Sequence, residues 1–194
     1  MYRGEVAPAL AAEHPELGLA WCHVEATPGP TPRELAARLR GLADRMAGAQ
    51  VLALRSRDVP HAYRVFFRHV GLDPDVVRTP VEAIALRRLT EGGLHPRGQV
   101  EDALVVACLE TGVGLVAFDA DRVAGPLALA VADGRLVIAD ADGPLADLFG
   151  EAAGRAAITR ATRRVALVAV AVPHVPDLFV EEALWIAWEI LRAD

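Results

Sequence analysis

The stretch VEDALVVACLETGVGLVAFD, residues 100–119, decides the fold. Its first half is apolar almost all round, the composition of a helix enclosed in a core rather than laid on a surface. Gly112 and Gly114 mark its stop, and the residues that follow read as a short buried strand ending on Asp119.

Upstream, residues 17–25 predict a strand, broken by Thr27-Pro28-Gly29-Pro30. Thr31, with Pro32 next and Glu34 three positions on, has the form of a capping box, and Leu35, Leu39, Leu42 and Met46 share one face of the helix behind it. Residues 50–54 (QVLAL) read as a short buried strand. Residues 59–70 predict a helix with Val59, Tyr63, Phe66, Phe67 and Val70 inward and His61, Arg64 and Arg68 on the other side. Thr79-Pro80-Val81-Glu82 opens a further helix that runs to Gly92-Gly93. Downstream the pattern turns to short strands at 126–131, 135–139 and 164–172, with a turn at Asp133-Gly134. A closing helix at 177–192 carries Phe179, Leu184, Trp185, Trp188 and Leu191, its apolar face expected to pack internally. Helices in the first half and strands in the second, without regular βαβ alternation, predict an α+β fold: one domain over residues 1–194, a mixed or antiparallel sheet with helices packed around it.

The composition narrows the function. A chain of 194 residues, 53% hydrophobic, can bury a real core and is not a disordered segment. No apolar run reaches the ~20 residues of a membrane span, and the first residues do not read as a signal peptide, so a cytoplasmic protein is expected. Cys22 and Cys108, the only cysteines, make neither a disulfide framework nor a CxxC zinc site. The net charge of −6 counts against a dedicated nucleic-acid binder. Its distribution is uneven: residues 55–97 hold eight arginines against five acids, and residues 155–164 hold four arginines and no acid. Such clusters are either solvated helix faces or a phosphate-binding surface.

No nucleophile-and-base pair, HExxH, GxSxG or phosphate loop can be read. Asp140 and Asp142 leave a predicted strand as a magnesium-binding acid pair would, but Asp142-Gly143 is also an ordinary turn. No metal or cofactor is expected. Thr159 and Thr162 stand on a basic approach to the last strand, where threonine is equally at home for structural reasons.

The opening stretch resembles the B3/B4 editing domain of the phenylalanyl-tRNA synthetase beta subunit and its stand-alone relatives. That family runs as an acid, TN, aliphatic residues, then ExGxPxH-aliphatic-FD and a GxI strand. Here Asp102, Glu110, Gly112 and Ala117-Phe118-Asp119 match, followed by Gly125-Pro126-Leu127. Val137-Ile138-Ala139-Asp140, Gly150, Ile158, Thr162, Val165 and Leu167 continue the pattern. Upstream, Tyr63-Arg64-Val65-Phe66-Phe67, Gly71, Asp73-Pro74 and Glu82-Ala83 look like the stand-alone group, so the likeness spans about residues 55–172.

The resemblance implies deacylation of tRNA charged with the wrong amino acid, without a metal. The family's pocket Asn, His and Glu fall at Val105, Val116 and Val168 here, and its Pro at Gly114. Valines cannot hydrogen-bond a tyrosine hydroxyl, so the implied pocket, Val105, Cys108, Val116, Val168 and Asp119, is apolar. Thr162 and Glu110 are the polar matches left for catalysis, with water positioning and backbone N–H groups as the means. Arg64, Arg87, Arg88, Arg160, Arg163 and Arg164 are the expected contacts to the tRNA acceptor end. The alternative is a non-catalytic module of the same fold, its pocket taking a small hydrophobic or amino-acid ligand. Neither a membrane nor DNA is an expected partner.

Overall fold

The computed structural model describes residues 1–46, 48–150, 152 and 154–192. In chain order its elements are β1 (Tyr2–Arg3), β2 (Glu5–Val6), α1 (Pro8–Glu13), β3 (Gly18–Glu25), α2 (Arg33–Arg45), α3 (Gly48–Ala53), α4 (Asp58–His69), α5 (Pro80–Glu91), α6 (Gln99–Thr111), β4 (Leu115–Asp119), β5 (Ala128–Ala132), β6 (Arg135–Asp140), β7 (Gly143–Asp147), β8 (Arg164–Ala171) and α7 (Asp177–Arg192). The fold is α+β.

The strands form two four-stranded sheets, ordered β1-β3-β8-β4 and β2-β5-β6-β7. The first is antiparallel throughout, and the second is mixed because β2 runs parallel to β5. β8 is the centre of the first sheet. Its sequence, RVALVAVA, is a continuous run of valine, leucine and alanine after Arg164, and all of that run is buried. β3 lies along its full length on one side and β4 along Val165–Ala169 on the other, with Trp21, Val168 and Val116 directly in register. α7 packs on β3 and β8, and α6 lies beside α7 and over β4. One continuous apolar core joins residues of both sheets and the helices.

The reading of residues 100–119 holds as secondary structure. α6 buries residues on every side, including Val100, Ala103, Val106, Ala107 and Leu109. Gly112 ends it with φ +80°, its N–H donating to the Cys108 carbonyl at 2.8 Å. A Cβ there would also stand 3.0 Å from Pro60 and 3.1 Å from Val59, so both backbone and space call for glycine. Gly114 is tighter: a Cβ would meet the Pro80 ring at 2.8 Å, which lets the start of α5 press against the start of β4.

Four expectations need correction. Residues 50–54 are helical, spanning the end of α3 and a 3-10 turn at Leu54–Ser56, with Leu52 exposed; the aliphatic run lacks the sheet neighbours that would make it a strand. The Thr31 hydroxyl makes no cap bond to α2 and instead donates to the Asp102 carboxylate. Arg64, placed on a solvent face, is 5% exposed. Trp185 is 58% exposed, stacked on Trp188 at 5.3 Å, while Trp188 turns its indole N–H to the His23 carbonyl. The strands β1, β2 and β7 went unread; each is short, and β7 is broken by Pro144. The Asp133-Gly134 turn is as expected, with φ +50° and +73° closing the β5–β6 hairpin.

Candidate functional site

A cleft of about 1290 Å³ opens beside β4. Its floor is Leu104, Val105 and Cys108 of α6 with Leu115, Val116 and Ala117 of β4. One wall is α5, through Pro80, Ala83, Ile84 and Arg87; the others are the loops at 28–31, 96–98 and 158–160, with Phe149. Side chains of a strand alternate between faces, so three consecutive β4 residues border one cleft because it runs along the strand's edge. β4 is an edge strand in the sheet order.

Two of the loop walls, 28–31 and 96–98, are held by one carboxylate. Asp102, 1% exposed, accepts from the Thr31 hydroxyl and from the N–H groups of Arg97 (3.1 Å) and Gly98 (3.4 Å). Gly98 also donates to the Thr31 hydroxyl oxygen at 3.2 Å. These bonds tie the 28–31 loop to the start of α6, across residues far apart in sequence. Phe149 stacks on Phe67 at 5.2 Å and meets Tyr63 edge-on at 5.4 Å. The Tyr63 hydroxyl donates to the Val170 carbonyl (2.6 Å) and accepts from Gly114 N–H (2.9 Å), bridging the β4–β8 ladder where the strands part. Burial pushes its pKa far up, so it stays neutral.

The cleft gathers three of the five expected pocket residues, Val105, Cys108 and Val116. Burial raises the Cys108 thiol to about 12, which leaves it a small apolar surface at neutral pH. Val168 is fully buried in register with Val116 and does not border the cleft. Asp119, 4% exposed, accepts from the Thr162 hydroxyl at 2.8 Å and from Asp121 N–H at 3.2 Å. Thr162, 1% exposed, in turn accepts from Thr159 N–H at 3.0 Å. The pair fastens the approach to β8 onto the end of β4, outside the cleft. Glu110 is also outside it, held by Arg38 through two bonds of 3.0 and 2.6 Å.

The arginines divide. Arg87 borders the cleft and pairs with Glu101 at 3.1 Å; Arg97 borders it and pairs with Glu91 at 2.7 Å. Arg160 borders it with a guanidinium that bonds no described residue. Arg163 and Arg164 line a separate cavity of about 460 Å³ with Glu25, Thr27 and Asp121, and Gln99 borders both spaces. There Arg164 pairs with Asp121 at 3.0 Å, and Arg163 donates to the carbonyls of Arg160 and Thr162. Arg88 donates to the Ala43 carbonyl. Arg64 is enclosed between Glu82 and Asp75, 2.8 Å from each. Its place on the tRNA-facing side is therefore withdrawn, because its charge is already met inside the protein.

The acid pair at the end of β6 is a clasp. Asp140 accepts from both terminal nitrogens of Arg155 and from the N–H groups of Ala124 and Asp142. Burial opposes its charge, but these bonds outweigh it and hold the carboxyl below its ordinary value. Among the described residues there is no group of three or more His, Cys, Asp or Glu able to hold a metal ion. Nor is any helix among them long and apolar enough to cross a membrane.

Sequence reasoning missed Thr31, Arg97 and Phe149 as cleft residues. The breaker at 27–30 was visible, but nothing local shows that it folds back onto residue 102. No protein-family model matches the chain, and no curated protein matches it.

Proposed function

We propose that the chain is a stand-alone B3/B4-type module that binds the aminoacylated acceptor end of a tRNA in the cytoplasm. One observation carries the reading. Two of the three positions where the resemblance places a pocket, Val105 and Val116, come together with Cys108 on the floor of the larger of the two clefts described, and Arg160 stands at its side with no partner among the described residues. An apolar aminoacyl side chain would lie on that floor and a backbone phosphate against Arg160. Binding is favoured over hydrolysis because the side chains of Thr162 and Glu110 are committed to Asp119 and Arg38 away from the cleft.

The test is retention of tRNAs charged with leucine, valine, phenylalanine or tyrosine against their uncharged forms, over a salt series, with amino-acid release followed in parallel. Charged tRNAs bearing apolar residues should be retained more tightly, with affinity falling as salt rises. Equal retention of charged and uncharged tRNA, or none, removes the reading. Release above background would restore the catalytic one.

A second reading is a module for a free hydrophobic or amino-acid ligand. It is favoured by the pairing of Arg87 and Arg97 with Glu101 and Glu91, which leaves a rim of little net positive charge. Saturable binding of a free amino acid with no response to tRNA would select it.

A further inference from the structure

β4 borders the cleft as an edge strand. Val170 N–H donates to the Gly114 carbonyl at 3.3 Å, and the Tyr63 hydroxyl completes the return bond, so Gly114 and Val170 form a hydrogen-bonded pair of the antiparallel ladder. Such pairs alternate with non-bonded ones. With the register Leu115↔Ala169, Val116↔Val168 and Ala117↔Leu167, Val116 therefore faces β8, and Leu115 and Ala117 turn their N–H and C=O groups away from the sheet. Both residues border the cleft, and those outward groups bond no described residue. Unpaired strand-edge groups next to an apolar floor need a partner that supplies both a donor and an acceptor.

We propose that this edge of β4 reads the α-aminoacyl group itself; this rests on the acceptor-end reading above. One outward residue presents an N–H and a C=O side by side. An aminoacyl ester presents the complement: its carbonyl accepts the N–H, and its α-ammonium donates to the C=O. Its side chain then falls toward Val105, Cys108 and Val116, which reward apolar surface and offer no hydrogen bond. Phosphodiester and ribose lack this ammonium–carbonyl pair, so the nucleotide part is left to Arg160. The substrate class is the 3′-ester of an apolar α-amino acid with a free amino group. Recognition through main chain also accounts for a pocket that keeps no polar side chain at Val105 and Val116: proline alone removes the N–H, and no side-chain substitution removes the C=O.

The test is calorimetric binding of the full chain to non-hydrolysable 3′-amino-3′-deoxyadenosine amides carrying leucyl or its des-amino analogue, with leucinamide as the nucleotide-free probe. The leucyl compound should bind roughly tenfold more tightly than the des-amino one, the loss expected for one hydrogen bond to a charged group. Ala117→Pro deletes an outward N–H, which an edge strand tolerates because the ladder to β8 is untouched. It should weaken the leucyl compound roughly tenfold. Leu115→Pro is the second variant should Ala117→Pro fail to fold. Equal affinity for the leucyl and des-amino compounds, or unchanged leucyl affinity in folded variants of both positions, overturns the proposal while leaving the acceptor-end reading intact. If leucinamide binds as tightly as the adenosine compound, and only with its amine, the edge assignment stands and the tRNA reading fails. A leucine-containing pentapeptide that binds more tightly than either compound overturns the assignment in favour of an extended chain added to β4.

Discussion

Arg64 and Arg160 belong to the two arginine-rich segments of the chain, and in sequence each stands beside residues that fit a nucleic-acid surface. In the folded protein Arg64 is enclosed 2.8 Å from both Glu82 and Asp75, with Arg55 and Arg78 reaching the same acids. Arg160 lies on a turn beside the cleft with its guanidinium free of any described partner. Clustering of like charge does not say where the charge is used. What decides is whether acids arrive from elsewhere in the fold, and around Arg64 they arrive from α5 and the loop before it.

This contrast can be broken by substitution. Arg64→Leu should be the most damaging change, costing about 3 kcal/mol in a urea titration, because buried Glu82 loses its 2.8 Å cation and keeps only the longer 3.5 Å contact to half-exposed Arg55. A loss under about 1 kcal/mol would mean that the network is dispensable. Tyr63→Phe should follow at about 2 kcal/mol, since Gly114 N–H and the Val170 carbonyl both lose their partner inside the core. Thr162→Val should cost about 1 kcal/mol and leave tRNA retention unchanged; a selective loss of amino-acid release at undiminished stability would make Thr162 catalytic after all. Arg160→Ala should sit within about 0.5 kcal/mol of the parent in stability, yet weaken tRNA retention and flatten its salt dependence. Were it to unfold the protein, Arg160 would belong with Arg64.

The third arginine pattern is the Arg155–Asp140 clasp, and pH reads it. Asp140 is held below its ordinary value of 3.8, so the folded state binds its proton less readily than the unfolded chain. Its contribution is therefore complete above that value and is lost as pH falls through the lower folded pKa. Denaturation midpoints measured at descending pH should drop less steeply in Asp140→Asn than in the parent. Parallel slopes would show that the clasp contributes nothing to acid sensitivity.

Much of the scaffold was legible because its signals are local. α6 and β4 follow from residues 100–119, and Gly92, Gly112 and the Asp133-Gly134 turn sit where backbone conformation demands them. The misreadings share a cause. Residues 50–54 have strand composition and no sheet to join. Thr31 has a cap sequence, yet its hydroxyl donates to buried Asp102 and its oxygen accepts from Gly98 N–H instead of from α2. Thr162 was legible as a polar residue near β8, whereas its bond to Asp119 spans 43 positions. The cleft was half legible: three floor residues were named, but its loop walls and the outward edge of β4 were not.

By itself the sequence determined α2, α4, α5, α6 and α7, the β5–β6 hairpin, the apolar character of the floor and the α+β class, because spacing, turn chemistry and composition act over a few residues. Only the tertiary structure decided which arginines are consumed and which bond no described residue. It alone set Thr162 against Asp119, and made β4 an edge strand that borders a cleft. Those outcomes depend on acids, hydroxyls and strands that meet from distant parts of the chain, and the free energy of such pairings lies in the partner rather than in the residue.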